Sequence, residues 1–79
     1  MSNAPDTETD MLFNSLKTNV LKIKRFYDGS DRVITQYEAV ANATNGQPCI
    51  RTDYAYVGVS TLLDAMKESM STWQSAWDI

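Results

Sequence analysis

The sequence predicts an all-β fold, a small antiparallel β-meander or sandwich with an extended N-terminal arm. Three observations carry that expectation. Residues Arg32 to Tyr56 hold two stretches of period-two alternation folded around Thr44-Asn45-Gly46-Gln47-Pro48. Asp28-Gly29-Ser30-Asp31 forms a second reversal upstream, and Gly58 with Ser60 marks a third downstream. Alternation is the mark of a half-buried strand, because successive strand side chains point to opposite faces. The alternative is an α+β fold with a C-terminal helix.

In chain order, residues 1–17 read as the arm and 18–79 as a small β domain. Met1 to Asp10 is polar and acidic and has no apolar cluster with which to anchor itself by burial. Ser2-Asn3-Ala4 also fits a remnant of cloning, in which case the natural chain starts later. Met11-Leu12-Phe13 and Leu16 follow as an apolar group, either one or two helical turns capped by Thr9 or Asp10, or an extended segment. They have two possible homes, this chain's own sheet or a neighbouring subunit.

Asn19 to Tyr27 is the first expected strand, with Leu21, Ile23 and Tyr27 on one face and Lys22 and Lys24 on the other. Asp28 to Asp31 turns the chain into the second, Arg32 to Ala41, where Val33, Thr35, Tyr37 and Ala39 alternate with Ile34, Gln36, Glu38 and Val40. Asn45-Gly46 tolerates the positive φ of a tight reversal, and Pro48 lacks the N–H of a central ladder, so the third strand is expected at Cys49 to Val57. There Ile50, Thr52, Tyr54 and Tyr56 share a face, and β-branched and aromatic residues suit a pleated, half-buried surface.

The final segment carries two signals. Leu62, Met66, Met70, Trp73 and Trp77 recur at helical spacing, and Thr61-x-x-Asp64 resembles a capping box. Read as a strand, expected over Thr61 to Ser69, the segment keeps Leu62 and Met66, with Met70 just beyond, on one face but places Asp64 and Glu68 there too, which fits only a sheet edge or a wet interface. The expectation is a fourth strand paired with the third.

Composition narrows the function classes. A chain of 79 residues forms one domain at most, whose own core supplies only about 3–5 kcal/mol. With one cysteine and no histidine, neither an internal disulfide nor an ordinary zinc cage is available, so self-association is the expected source of further stability. Cys49 reads as a small core residue. A net charge of −3 argues against nucleic-acid binding through phosphate neutralisation. The cluster Lys17, Lys22, Lys24 and Arg25 reads as a charged outer face or guarded sheet edge. No run approaches the roughly 18 apolar residues of a membrane span, and no basic-then-apolar signal peptide opens the chain, so a soluble, intracellularly made protein is expected. On that expectation Asn42-Ala43-Thr44 is loop chemistry rather than a glycosylation site.

No catalytic, cofactor-binding or metal-binding constellation is expected. Without histidine, Ser-His-Asp and Cys-His arrangements cannot form. Glu38 and Asp53 are the one carboxylate pair that could face each other across the central hairpin, and they read as solvated strand charges. The three glycines are scattered among turns and build no phosphate-cradling loop. The aromatic residues are plentiful instead, and Trp73 and Trp77 lie so near the C-terminus that intrachain core and intersubunit contact both remain open.

Asp31-Arg32-Val33-Ile34, Tyr37-Glu38-Ala39-Val40, Tyr54-Ala55-Tyr56 before a glycine turn, and Trp73-x-x-x-Trp77-Asp78 together resemble small virion-module proteins of tailed bacteriophages. The resemblance covers about Lys22 to the C-terminus. It implies a β-rich building block whose segment after the Tyr-x-Tyr strand is also extended and whose Trp-containing end is irregular. The function expected is a multi-copy structural subunit of the head, neck or tail of a virion, made in the host cytoplasm. Its partners would be itself and other virion proteins, with no nucleic acid or membrane bound. Met11, Leu12, Phe13, Leu16, Tyr54, Tyr56, Trp73 and Trp77 are the residues expected at protein interfaces. The alternative is a small soluble adaptor or regulator that binds one protein partner through the same aromatics.

Overall fold

The structure is a computed structural model and describes residues 8–78. Its elements are a helix α1 (Glu8–Thr18), strands β1 (Lys22–Tyr27), β2 (Val33–Ala39), β3 (Pro48–Tyr56) and β4 (Leu63–Thr72), and a short 3-10 helix η1 (Ser75–Asp78). The four strands form one antiparallel sheet in the order β1-β2-β3-β4. The expected meander is therefore present, and the fourth strand pairs with the third.

Register sorts the side chains into two faces. Tyr37 lies opposite Lys24 and Arg51, while Glu38 lies opposite Ile23 and Ile50. Lys22, Lys24, Phe26, Tyr37, Ala39, Cys49 and Arg51 thus share one face, and Ile23, Arg25, Glu38, Ile50, Thr52, Tyr54 and Met66 share the other. Each outer ladder slips once. Ile34 is the extra residue in β2, between the pairs Phe26↔Thr35 and Tyr27↔Val33, and Asp64 is the extra residue in β4, between Ala55↔Ala65 and Tyr56↔Leu63.

Helix α1 covers the Ile50 face. It packs against β2 and β3, its Leu16 is buried, and its Lys17 bonds Glu68 at 2.8 Å. Its end is closed locally: Thr18 Oγ1 and Asn19 Nδ2 donate to the carbonyls of Asn14 and Ser15. Lys17 in the last turn suits the negative end of the helix dipole.

The Tyr37 face is covered by the C-terminal end. After β4 the chain is tied back by Trp73 N–H to the Gln47 carbonyl and by Gly46 N–H to the Trp73 carbonyl, both 2.8 Å, and η1 then lies over β1 and β2. Gly46 sits at φ 85°, which an L side chain adopts only with strain. The result is a thin slab of 41 × 39 × 16 Å. Its buried apolar residues are Leu16, Ala39, Ala43, Cys49, Ile50 and Trp73.

Several expectations change. Of the two forms open for Met11 to Leu16 the helical one is present, longer than one or two turns and begun at Glu8, so the arm expected over 1–17 is not extended there, and Leu16 finds a buried place on the sheet. Residues 1–7 of that arm lie outside the described residues. β1 begins at Lys22 rather than Asn19, since α1 and its cap use the residues before it. β2 ends at Ala39, where Val40 enters a turn closed by the bond from Ala43 N–H. Pro48 is the first residue of β3, a position a strand tolerates. β4 runs to Thr72, beyond the expected Ser69.

Candidate functional site

Four aromatic rings, Phe26, Tyr37, Trp73 and Trp77, cluster on the Tyr37 face. Trp77 is the hub: its ring centroid lies 4.4 Å from Tyr37, 5.6 Å from Phe26 and 5.2 Å from Trp73. The Phe26 and Trp73 contacts are edge-to-face, the arrangement that ring quadrupoles favour. Beneath them Trp73 packs with Ala39, Ala43 and Cys49. Cys49 is fully buried, as expected of a core residue, and burial pushes its thiol pKa up, away from the reactive thiolate.

A polar latch holds this cluster shut. Lys22 Nζ donates to the Ala43 carbonyl at 2.8 Å and to Asp78 Oδ1 at 3.0 Å, and it lies 5.5 Å from the Trp73 ring centroid. Trp73 Nε1–H in turn donates to the Asp78 carboxylate at 3.1 and 3.2 Å. The bond from Lys22, aided by that from Trp73 and opposed by desolvation, holds the Asp78 carboxyl below its ordinary value. Lys22, expected on a charged outer face or edge, is thus a tether on the covered face, while Ile23 on the opposite face is 48% exposed.

The opposite end of the slab carries a second organised feature, the loop Val57 to Leu62. Arg32 Nη1 donates to the carbonyls of Gly58 and Ser60 at 2.9 and 2.7 Å, and its guanidinium lies 4.8 Å from the Tyr56 ring centroid. Asp28 anchors Arg32 through Nε at 2.8 Å and accepts the backbone N–H of Ser30 and of Arg32. The Arg32 backbone bond is the largest cause of the lowered Asp28 pKa. Asp31 takes φ 61°, which a short polar side chain tolerates. The clamp fixes a loop that presents Val57, Val59 and Leu62 to solvent, with Val59 95% exposed.

The residues expected at interfaces separate into three groups. Leu16 and Trp73 are buried inside the chain, at 6% and 2% exposure, so their side chains are out of reach of a neighbour in this conformation. Phe13, Tyr54, Tyr56 and Trp77 are half-buried; Tyr56 Oη donates to the Val33 carbonyl at 2.6 Å and Lys17 lies over Phe13. Met11 and Leu12 are exposed. Val57, Val59 and Ile23 are exposed apolar residues outside the expected contact set, since a turn or edge position gives no periodic signal that separates exposure from burial, whereas the exposure of Leu62 and Met66 agrees with the sheet edge or wet face expected for their segment.

Glu38 and Asp53 lie on opposite faces, opposite Ile50 and Thr35 respectively, and do not form a carboxylate pair. Asp53 accepts instead from Arg51 and from Thr35 Oγ1. Among the described residues no group of three metal-ligating side chains comes together, and no helix is long and apolar enough to cross a membrane. No family model matches the chain, and neither a curated protein nor a solved structure does.

Proposed function

We propose that the chain is a multi-copy structural subunit of a tailed-bacteriophage particle, held in place by contacts with its own copies and with other virion proteins. The reading assigns it no catalytic step. The observation that supports it is the balance of apolar surface. Among the described residues six apolar side chains are buried, three of them Ala or Cys, against twelve large apolar side chains that are exposed. Isolated exposed apolar residues are ordinary, but these are concentrated on edge strands, one helix and one rigid loop of a thin slab. Burial of that surface against neighbours would add what a core this small lacks.

The subunit reading and the adaptor alternative both expect contact through the C-terminal aromatics, which are packed within the chain through Trp73 and Trp77; what favours the subunit is the spread of exposed apolar residues over both edge strands, the helix and the loop, more surface than one small contact would cover. Light scattering on the purified chain across a dilution series tests the assembly reading. A mass that rises with concentration to a multiple of the 8.9 kDa chain is expected; a monomer at every concentration counts against it.

A further inference from the structure

We propose that copies of this chain join edge to edge, β1 of one copy pairing antiparallel with β4 of the next, to make one continuous sheet running through the assembly. The proposal rests on the reading of the chain as a repeated subunit and specifies its interface. Strand direction is the first observation. β1 and β4 are the outer strands, each paired on one side only, and in a meander of four antiparallel strands they run in opposite directions. A second copy placed in the same orientation beside β4 therefore offers β1 antiparallel to it, with the two faces of the sheet continuing unbroken.

Charge selects this partner over the others. β1 is Lys-Ile-Lys-Arg-Phe-Tyr, three cations in six residues, whereas β4 carries Asp64, Lys67 and Glu68. Two β1 strands paired about a two-fold axis put Lys24 opposite Lys24 or Arg25 opposite Arg25 in the two registers of fullest overlap. Two β4 strands likewise put Lys67 opposite Lys67 or Glu68 opposite Glu68. Like charges directly opposite destabilise an antiparallel pair, so each edge is guarded against its own copy. The mixed pair is not.

One register of the mixed pair satisfies both faces. With Arg25 opposite Glu68, Ile23 meets Met70 and Tyr27 meets Met66 on the α1 side. On the other side Phe26 meets Lys67, and Lys24 and Lys22 meet Ser69 and Ser71. A shift of two residues one way sets Lys24 against Lys67; the other way it leaves Arg25 against Met70, without a charge partner. Ile23, Phe26, Tyr27 and Met66 are 48%, 36%, 54% and 60% exposed in the free chain, and this register gives each a cross-strand neighbour. The contact is heterologous, so it closes into a ring or continues as a filament according to the rotation between copies.

Charge reversal and cross-linking test it together. Arg25→Glu or Glu68→Lys alone should weaken association by roughly three- to tenfold in sedimentation equilibrium, and the two combined should restore it. Because Glu68 also accepts from Lys17 of α1, Lys17→Ala, which removes that bond and leaves Arg25 and Glu68 in place, should associate as the native chain does, and circular dichroism checks that each variant keeps its helix and strand content. Ile23→Cys protein mixed with Met70→Cys protein should oxidise to a covalent heterodimer, while Ile23→Cys with Ser69→Cys, on opposite faces, should not. The native Cys49 is fully buried and does not compete. If the chain assembles yet the charge variants behave as wild type and no heterodimer forms, edge pairing is wrong and the subunit reading survives. If the chain is monomeric throughout and absent from particles, both fall.

Discussion

Arg32 shows how one side chain can set the character of a surface. Its guanidinium ties Asp28, Gly58 and Ser60 together, so two turns from different hairpins become one rigid end. Arg32→Ala leaves the Gly58 and Ser60 carbonyls to water and should cost on the order of 1–2 kcal/mol in urea unfolding. Amide exchange should accelerate first at Ser60, whose N–H closes the loop on Val57. Unchanged exchange there would show that the loop holds its shape without the clamp.

Asp78 is the corresponding residue at the other end. Its folded pKa is depressed below the ordinary 3.8 by Lys22 and Trp73, so its contribution is fully present above that value and is lost as pH falls through the lowered folded value. Protonation weakens its acceptance of the Trp73 indole N–H, so tryptophan fluorescence should shift in acid below the ordinary carboxylate range. In Asp78→Asn that acid step should be missing. No local pattern pointed to this role, because Lys22 and Asp78 are far apart along the chain and the Trp73-x-x-x-Trp77-Asp78 pattern names no partner for the carboxylate.

At the scale of elements, β2 and β3 are paired on both sides and should hold the slowest-exchanging amides, with α1 and β4 faster. Slowest exchange in α1 would contradict the packing described. The α1 contribution is concentrated in Leu16, and Leu16→Ala should cost about 2–5 kcal/mol in urea unfolding. A loss that large approaches the whole stability expected of so small a core.

The strands were legible because alternation survives wherever one face is covered. The β4 segment was ambiguous for a physical reason. Met66 and Met70 are four apart, a spacing that keeps two residues on one face of a helix and of a strand alike. Leu62, Trp73 and Trp77, which completed the helical pattern, lie in a loop, just past the end of β4 and in η1. Asp64, awkward on a strand face, is the bulge residue, and Glu68 is answered by Lys17 from α1. Both solutions depend on tertiary contacts that local pattern does not encode. The helix was harder to read than the strands because a single buried residue, Leu16, anchors it.

For the whole molecule, the consequence of a thin sheet with light cover on both sides is an interior held by few side chains. Trp73 is the largest of them, and Trp73→Ala should cost about 3–5 kcal/mol, enough to leave the isolated chain without a folding transition in urea. Assembly should then recover part of that loss, since partners that bind only the folded chain stabilise it by mass action.

The most direct test of the central claim is the copy number of the chain in gradient-purified phage particles, measured by quantitative mass spectrometry against an abundant virion protein. A structural subunit should be present at a fixed ratio of several copies per particle and stay with the particles through repeated gradients. Absence from the particles, or a ratio that falls with each purification step, would contradict the account.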